Sequence, residues 1–352
     1  MKKQREFMIS GRTVGAGQPV FIIAEAGVNH NGDMKLAKKL IDAASDAGAD
    51  AVKFQTFTPE ELVSESAPQA EYQVANTGKK ESQIDMLKGL VLPHKEHSAL
   101  KKYAEEKGLV FLSTPFSALD ADFLETLDIA AYKIPSGELN NLPFLAHIAK
   151  KRKPVILSTG MGTLEEVREA LGVLKENGAT EVAVFHCTSE YPTPPADINL
   201  RAMQTLASEF GLPTGLSDHS EGISVAIAAT ALGACILEKH FTLDRNLSGP
   251  DHKASLEPSE LKEMIRCIRT VEQSLGSPEK KPTAGELDTA SVARKSVVAR
   301  RDIAEGTCIA FEDIYIVRPG TGIQPKHFDE VVGKTTKQKI SLGMPLQWSM
   351  LS

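Results

Sequence analysis

Two histidines late in the chain have the placement of a metal-binding pair. His219 and His240 each follow a short apolar run, and if those runs are neighbouring parallel strands, the two imidazoles converge on one point. Two imidazoles with carboxylates close by and no cysteine favour a divalent ion that keeps open positions for substrate oxygens, such as Mn²⁺ or Mg²⁺. Zinc with a third ligand from Glu25 or Asp251 is the alternative.

Two lysines earlier in the chain also stand at the ends of apolar runs. Lys53 and Lys133, together with the hydroxyls of Thr114 and Ser136, could surround a small anion such as a phosphate monoester. A lysine in such a place can also form a Schiff base with a carbonyl substrate. Because a metal ion already polarises a carbonyl, the histidine pair favours electrostatic binding of an anion.

Polar side chains end every one of the apolar runs. They are Glu25; Lys53 and Gln55; Ser113 and Thr114; Lys133, Ser136 and Glu138; Ser158 and Thr159; His186; Ser217 and His219; and Glu238 and His240. Singly, each has an ordinary structural use, since serine and threonine cap helices and a buried lysine often only completes an ion pair. Together they indicate one functional face, because buried polar groups are costly unless they are used.

The elements that must position these groups alternate between short apolar runs and amphipathic stretches. The runs cover 20–26, 51–57, 109–116, 130–136, 154–160, 182–188, 213–218 and 234–241. The stretches between them space apolar residues at i, i+3, i+4 and i+7, which is typical of helices. Eight such units in about 275 residues predict an α/β fold, a (β/α)₈ barrel with its active face at the strand ends. A doubly wound sheet is disfavoured because no G-x-G-x-x-G fingerprint follows the first run.

Two segments depart from the repeating pattern. Residues 58–92 make a connection longer and more polar than a usual βα loop, and long barrel loops usually serve the active site. The polar, proline-containing stretch after Leu275 indicates a linker. We therefore predict a barrel domain over 1–275, a linker over 276–294 and a small β-rich domain over 295–352, whose core is marginal by itself.

Composition excludes several classes of protein. The 352 residues include 40 lysines and arginines against 46 aspartates and glutamates, a net charge of −6 without a long basic run, so nucleic acid is not an expected partner. No apolar run approaches ~18 residues, and we read no secretory signal, so neither a membrane span nor export is expected. The four cysteines are scattered without a C-x-x-C pair, which suits a reducing cytoplasm.

Long motifs stand in order along the whole chain. They are IAEAGVNHNG, AVKFQTF, FLSTPF, YKIPSGELNNLP, ILSTGM, HCTSEYPTP, GLSDHS and EKHFTLDRNLSGPDHKASLEP, followed by a tail that runs from KSVVARRDIAEGTCI to IVRPGTGI. The motifs resemble those of the sialic acid synthase family, the nonulosonate synthases, and the tail resembles that family's C-terminal antifreeze-like domain. The resemblance implies a TIM barrel followed by an antifreeze-like β-rich domain.

The resemblance also implies a reaction. Phosphoenolpyruvate and an open-chain N-acetylated aldose would condense, with water, to a nine-carbon 2-keto acid and phosphate. N-acetylmannosamine, which gives N-acetylneuraminate, is the favoured sugar. A 2,4-diacetamido-2,4,6-trideoxyhexose, which gives legionaminate or pseudaminate, is the alternative, and a pyruvate-dependent aldolase is a more distant one. A methyl in place of a hydroxyl changes few contacts, so the motifs alone do not separate the sugars.

Roles for individual residues follow from the same resemblance. His219 and His240 would bind the divalent metal, with Mn²⁺ preferred and Mg²⁺ or Co²⁺ possible. Catalytic roles fall to Glu25, Lys53, Glu138 and Asp251, with Glu25 orienting the attacking water. Substrate contacts fall to Lys53, Gln55, Asn76, Thr114, Lys133, Ser136, Glu138, Tyr191, Ser217, Asp251 and Arg318.

The family also implies how the small domain is used. In it, the small domain of one subunit caps the barrel of its partner, so we expect a homodimer in which Arg318 of the R-P-G motif reaches the partner's site. Some members carry asparagine two residues before the tyrosine of the sixth-strand motif as a phosphate contact. Here that position is Ser189, before Tyr191, and its shorter reach keeps it outside the predicted site.

Overall fold

The computed structural model describes residues 7–352, apart from the side chains at positions 72 and 75. The chain divides into two units between Gly276 and Ser277. The first holds the parallel strands and the second a small β-rich fold. Within the described residues, every helix is too short or too polar to cross a bilayer.

Eight parallel strands form the sheet of the first unit, and a short antiparallel hairpin precedes them. The hairpin is β1 (Phe7–Ile9) and β2 (Arg12–Val14). The parallel strands are β3 (Phe21–Gly27), β4 (Ala51–Thr56), β5 (Val110–Pro115), β6 (Tyr132–Ile134), β7 (Val155–Ser158), β8 (Val182–Cys187), β9 (Thr214–Asp218) and β10 (Ile236–His240). Each overlaps one predicted apolar run, and nearly all their residues are buried, as in strands covered on both faces.

The strand order is β5-β4-β3-β10-β9-β8-β7-β6. The first and last parallel strands pair with each other, with His240 opposite Glu25, so the sheet curls round on itself. β5 and β6 lie side by side, but the described residues form no ladder between them, which leaves a seam in a nearly closed barrel. The predicted (β/α)₈ barrel is confirmed, and the carboxyl ends of its strands meet at one end.

Helices connect the strands. They are α1 (Met34–Ala47), α2 (Pro59–Leu62), α3 (Glu71–Thr77), α4 (Gln83–Lys88), α5 (His94–Glu106), α6 (Ala118–Thr126), α7 (Leu142–Lys150), α8 (Leu164–Glu176), α9 (Arg201–Phe210), α10 (Ser224–Ala231) and α11 (Pro258–Leu275), with 3₁₀ turns at Ser136–Glu138, Pro195–Asp197 and His252–Ala254. α1 illustrates their local coding. The Asp33 side chain accepts from the first backbone N–H groups, and Gly48, at φ 86°, ends the helix in the left-handed conformation that glycine favours.

The hairpin fills the amino-terminal end of the barrel. Phe7, Ile9 and Val14 are buried and pack into the same cluster as Phe21 and Ile23, which lie at the start of β3. Apolar side chains therefore occupy this end of the barrel, and the opposite end is left for the polar strand ends.

The connection after β4 differs from its predicted form. The sequence predicts a long polar loop over 58–92, whereas the structure places the three helices α2, α3 and α4 there. Met86, Leu87 and Leu90 pack with Val28 in a separate apolar cluster. Helices of four to seven residues are too short to show a helical period in the sequence, which is why they were not predicted.

The second unit begins with a helix inside the predicted linker. α12 (Ala284–Ala293) starts at Thr283, whose side chain accepts a hydrogen bond from the backbone N–H of Glu286, so the segment 276–294 is not a linker throughout. The strands β11 (Ser296–Ala299) and β12 (Ile314–Val317) follow as an antiparallel pair, and α13 (Phe328–Val331) comes later. The apolar core of the second unit contains Val297, Ala299, Ile303, Ile309, Ile314, Ile323, Val331, Ile340, Leu346 and Leu351.

Candidate active site

A cavity of about 510 Å³ opens at the carboxyl ends of the parallel strands. The alternation of side chains along a strand decides which residues reach it. On β10, Glu238 and His240 line the cavity, whereas Lys239 between them does not and pairs instead with Asp218 of β9 at 2.9 Å. The barrel therefore presents every second residue of a strand end to the same space.

Two kinds of surface line this cavity. The polar part comprises Glu25, Lys53, Gln55, Thr114, Lys133, Ser136, Ser158, Cys187, Ser189, Ser217, His219, Glu238 and His240, with Tyr191 and Asp251 from the loops that follow β8 and β10 and with Gln73 and Gln83 from α3 and α4. The other part is apolar, and we name as the apolar wall the contiguous residues Val28, Phe57, Met86, Leu87, Leu90 and Phe116. A site of this kind combines charge for chemistry with an apolar surface for part of a ligand.

An alternating network of ammonium and carboxylate groups crosses the polar part. Lys53 Nζ lies 2.9 Å from Glu25 Oε1 and 3.7 Å from Glu238 Oε2, and it donates to Thr114 Oγ1 at 2.7 Å. Lys133 Nζ lies 3.3 Å from Glu238 Oε1. The two lysines and two glutamates balance, so the network alone carries little excess positive charge for an incoming anion.

The two glutamates differ in their titration. Burial raises the pKa of Glu25 to about 7, although Lys53 acts against it. Burial acts in the same direction on Glu238, but Lys133 and Lys53 outweigh it and hold the pKa of that carboxyl at about 2. Within the described residues, Glu25 Oε2 is buried without a hydrogen-bond partner. Glu238 is thus a fixed anion, and Glu25 is a carboxyl group able to exchange a proton near neutral pH.

The two predicted metal ligands lie together. The ring centroids of His219 and His240 are 5.5 Å apart. His219 Nδ1 donates to the Thr188 carbonyl at 2.7 Å, so Nε2 is the ring nitrogen that remains for a metal ion. Burial, together with His219 and Lys53, lowers the pKa of His240 well below its usual range, so its imidazole is neutral, and its buried Nδ1 has no partner in the described part of the chain.

This donor set fits a divalent ion held about 2.1 Å from imidazole nitrogen. Among residues 7–352, no three histidine, cysteine, aspartate or glutamate side chains converge closely enough to complete a metal cage. The protein would therefore contribute two imidazoles and leave other positions to oxygens of water or substrate, as Mn²⁺ and Mg²⁺ accept. The third protein ligand needed by the zinc alternative is not present in this arrangement.

Hydroxyl groups line the cavity beside the charged network. Ser217 Oγ donates to Glu238 Oε1 at 3.1 Å, and the backbone N–H of Gly160 donates to Ser136 Oγ at 3.0 Å. A Cβ at position 160 would lie 2.7 Å from Ser136 Oγ and still closer to Ser189 Oγ, so a side chain there would displace both hydroxyls from the cavity lining. The structure thus brings Ser189, which the sequence leaves out of the site, into the cavity lining.

Three predicted site residues, Glu138, Arg318 and Asn76, are not part of the cavity lining. Glu138 ends a 3₁₀ turn, and its carboxylate accepts a hydrogen bond of 2.6 Å from Asn141 Nδ2, the residue that caps α7. This position gives Glu138 a part in holding the turn after β6. Arg318 belongs to the second unit, where its exposed side chain donates from Nε to the Ala293 carbonyl at 2.9 Å.

Asn76 and Asp251 are connected through a backbone carbonyl. Asn76 Nδ2, on α3, donates at 2.6 Å to the carbonyl of Pro250, the residue before Asp251. Asp251 lines the cavity, and burial raises its pKa to about 6. Asn76 thus holds the segment that presents Asp251.

The sequence leaves two features of the site without a role. Glu238 is recognised as a polar strand end, and its position two residues before His240 could have placed it on the same inward face. The apolar wall has no such signal, because it combines three strand ends with the short helix α4.

Comparisons with known proteins agree with this architecture. A model of the NeuB family matches residues 40–280, and one of the SAF domain matches residues 294–352. The N,N'-diacetyllegionaminic acid synthase of Legionella pneumophila is 48% identical over 338 residues, 95% of both chains. The synthase of the same name from Campylobacter jejuni is 49% identical over 315 residues, 89% of this chain and 94% of its own. A crystal structure of the N-acetylneuraminic acid synthetase of Leptospira borgpetersenii superposes with a TM-score of 0.74 at 35% identity, covering 81% of this chain and 95% of that one.

Together the barrel, its charged strand ends and the SAF domain define an enzyme of the nonulosonate synthase class. The chain belongs to the NeuB family, and its C-terminal unit contains the antifreeze-like domain that the sequence predicts.

Proposed function

We propose that this enzyme condenses phosphoenolpyruvate with a 2,4-diacetamido-2,4,6-trideoxyhexose and water to give N,N'-diacetyllegionaminic acid and phosphate. The observation that supports this sugar is the identity of 48% and 49% to two diacetyllegionaminic acid synthases over most of the chain, against 35% to a sialic acid synthetase. N-acetylmannosamine, the sugar favoured by the family resemblance, is the second candidate, and the similarity to the sialic acid synthetase supports it.

The polar strand ends offer the groups that an enol phosphate needs. Lys53 and Lys133 supply cationic donors, and Thr114, Ser136 and Ser217 supply hydroxyls, all of them lining one cavity. Hydrogen bonds between an ammonium group and a phosphate oxygen are about twice as strong as neutral ones. Phosphoenolpyruvate would thus compete with Glu25 and Glu238 for the two lysines, and its carboxylate and phosphate would lie against the strand ends.

In the proposed reaction, C3 of phosphoenolpyruvate attacks the aldehyde carbon of the sugar, and the aldehyde oxygen becomes a hydroxyl. The cationic C2 that results takes up water, which gives one proton to Glu25, and this proton balances the one that the aldehyde oxygen takes up. The bond from C2 to the phosphate oxygen then breaks, phosphate leaves with the electron pair and takes the second proton of the water from the C2 hydroxyl, and C2 becomes the ketone carbon. The Oε2 of Glu25, which has no partner among the described residues, supports this role, because it is a buried acceptor on a residue that lines the cavity.

We include in the proposal a divalent cation on His219 and His240, with Mn²⁺ preferred over Mg²⁺ or Co²⁺. When bound, the cation would polarise the aldehyde carbonyl as a Lewis acid and add the positive charge that the balanced lysine–glutamate network lacks. Tyr191, whose ring lies 4.1 Å from that of His219, and Asp251 flank this point and would orient the sugar.

The proposed homodimer gives the second unit its role. The exposed side chain of Arg318 and the family's SAF domain support a contact from the partner subunit's Arg318 to substrate. Mixing an Arg318→Ala protein with a Lys53→Ala protein should then restore phosphate release, because one mixed site keeps both residues. If the mixture stays as inactive as its components, each second unit serves its own barrel.

The reaction is tested by measuring phosphate release and product mass with phosphoenolpyruvate, Mn²⁺ and the diacetamido sugar. We expect stoichiometric phosphate and the mass of diacetyllegionaminate, with activity lost on chelation and regained with Mn²⁺. Pyruvate in place of phosphoenolpyruvate, and borohydride trapping, are the controls for an aldolase. Turnover of pyruvate, or a covalent adduct at a lysine, would overturn the proposal.

A further inference from the structure

We propose that the apolar wall selects the sugar, by receiving the methyl-bearing end of a diacetamido-trideoxyhexose and disfavouring hydroxyls there. This inference rests on the proposed function and adds the residues that decide between the two candidate sugars. Those residues lie on the connections after β3, β4 and β5.

The wall is a packed surface. Val28, Phe57, Met86 and Leu90 are each at most 7% exposed, although they line the cavity. Phe57 and Phe116 meet edge to face, with ring centroids 6.2 Å apart and an interplanar angle of 89°. A surface packed in this way keeps its shape, so it can distinguish ligands by their outline and polarity.

The wall offers a sugar hydroxyl nothing to bond with from its own side chains. Its six side chains are hydrocarbon apart from the Met86 thioether, which is a weak acceptor. A hydroxyl pressed against it would lose hydrogen bonds to water without replacement, whereas a methyl group would gain burial.

The polar part of the cavity fixes which end of the sugar meets the wall. The aldehyde carbon must reach phosphoenolpyruvate at the strand ends, close to Lys53 and His219, so the far end of the sugar is left for the rest of the lining. In the diacetamido sugar, that end carries a second acetamido methyl and a C6 methyl. In N-acetylmannosamine, it carries hydroxyls at C4 and C6.

The expected selectivity is moderate. A single methylene in an apolar pocket changes specificity by about 10- to 200-fold, and such a pocket rejects an added hydroxyl by about 100-fold. We therefore expect kcat/KM for the diacetamido sugar to exceed that for N-acetylmannosamine by about 10- to 200-fold.

The test compares this ratio of kcat/KM values between the wild type and Leu87→Asn, which places an amide in the wall with the same number of side-chain heavy atoms. Ile84→Asn is the matched control, because Ile84 lies on the same helix α4, is 8% exposed against 9% for Leu87, and does not line the cavity. Phe116→Tyr, which only adds a hydroxyl, is the second variant and carries the test if Leu87→Asn does not fold.

We expect Leu87→Asn to lower the ratio at least tenfold, Phe116→Tyr to lower it less, and both to leave KM for phosphoenolpyruvate unchanged. Ile84→Asn should leave the ratio as in the wild type. The inference is overturned if Leu87→Asn folds and the ratio does not change. If only Phe116→Tyr folds, an unchanged ratio in that variant overturns it. An equal fall of the ratio in Ile84→Asn also overturns it. A wild-type ratio below one overturns the proposed sugar itself, and this result is read before any variant is made.

Discussion

The strand ends and the connection between β4 and α5 line the same cavity, but they are held in different ways. The strand-end side chains are fixed by ladders of registered parallel strands and by ion pairs such as Lys53 with Glu25. The connection has three helices of four to seven residues, which contribute mainly apolar contacts. The difference leads us to assign two tasks within the proposed function: chemistry to the charged network at the strand ends, and selection among sugars to the apolar wall, which this connection shares with Val28 and Phe116.

This division follows from what each region can hold. A reaction at a charged centre needs groups positioned to a fraction of an ångström, which a barrel provides because neighbouring strands fix one another. Recognition of a methyl group needs only an apolar surface of suitable shape. Variants in the two regions should therefore change different kinetic quantities.

The largest expected effect is that of Glu25→Gln. Loss of a proton acceptor at the attacking water should lower kcat by ~10²- to 10⁴-fold, and by the same factor for both sugars, because Glu25 belongs to the charged network and is not one of the residues of the apolar wall. The fall in kcat is measured by steady-state phosphate release with each sugar. A titration measures Mn²⁺ binding to the same variant. Near-normal turnover would contradict the catalytic role of Glu25. A loss of activity with only one sugar would contradict the assignment of chemistry and sugar selection to different residues.

The next largest effect tests the rigidity of the frame. Lys239→Met leaves the Asp218 carboxylate buried without the ammonium 2.9 Å away, and both side chains are at most 2% exposed. Removing one member of such a pair costs ~3 to 5 kcal/mol of unfolding free energy. Urea denaturation gives the value.

Arg168→Met, which breaks the surface ion pairs with Glu165 and Glu209, is the control for Lys239→Met and should change the unfolding free energy much less. Equal losses of unfolding free energy in the two variants would show that the buried ion pair of Lys239 with Asp218 does not stabilise the ends of β9 and β10.

A smaller effect is expected for Lys133→Ala. It removes one charge-assisted contact to phosphoenolpyruvate, worth ~1.5 to 3 kcal/mol, so KM for phosphoenolpyruvate should rise by about 10- to 100-fold. The sugar preference should not change, because Lys133 lies in the charged network. Unchanged affinity for phosphoenolpyruvate would remove Lys133 from the phosphate site.

The smallest effect concerns the inserted segment. Asn76→Ala loses the hydrogen bond of 2.6 Å to the Pro250 carbonyl, worth ~0.5 to 1.5 kcal/mol, and so loosens α3 from the segment that carries Asp251. KM for the sugar should rise about two- to tenfold, with kcat nearly constant.

Thr77→Ala is the control for Asn76→Ala. The Thr77 hydroxyl donates to the backbone carbonyls of Gln73, within α3, and Lys79, just after it. If both variants raise KM equally, the effect comes from α3 itself and not from its contact with Pro250.

Much of the frame was predictable because its signals are periodic and local. Apolar runs separated by helical spacing predicted the strands, and the rule that barrel strands end at one face predicted the meeting of Lys53, Lys133, His219 and His240. The contact of Asn76 with Pro250 was not predictable, since it depends on how two loops far apart in sequence fold over each other. The apolar wall is not predictable for the same reason. The family resemblance predicts Glu138 in the site, whereas the structure shows its carboxylate bonded to Asn141 in a local turn.

The central claim is tested most directly by a competition experiment with the wild-type enzyme. Phosphoenolpyruvate, Mn²⁺ and equal amounts of N-acetylmannosamine and the diacetamido sugar are combined, and the two products are measured by mass spectrometry at low conversion. We predict that diacetyllegionaminate exceeds N-acetylneuraminate by at least tenfold. Equal amounts, or an excess of N-acetylneuraminate, would contradict the account.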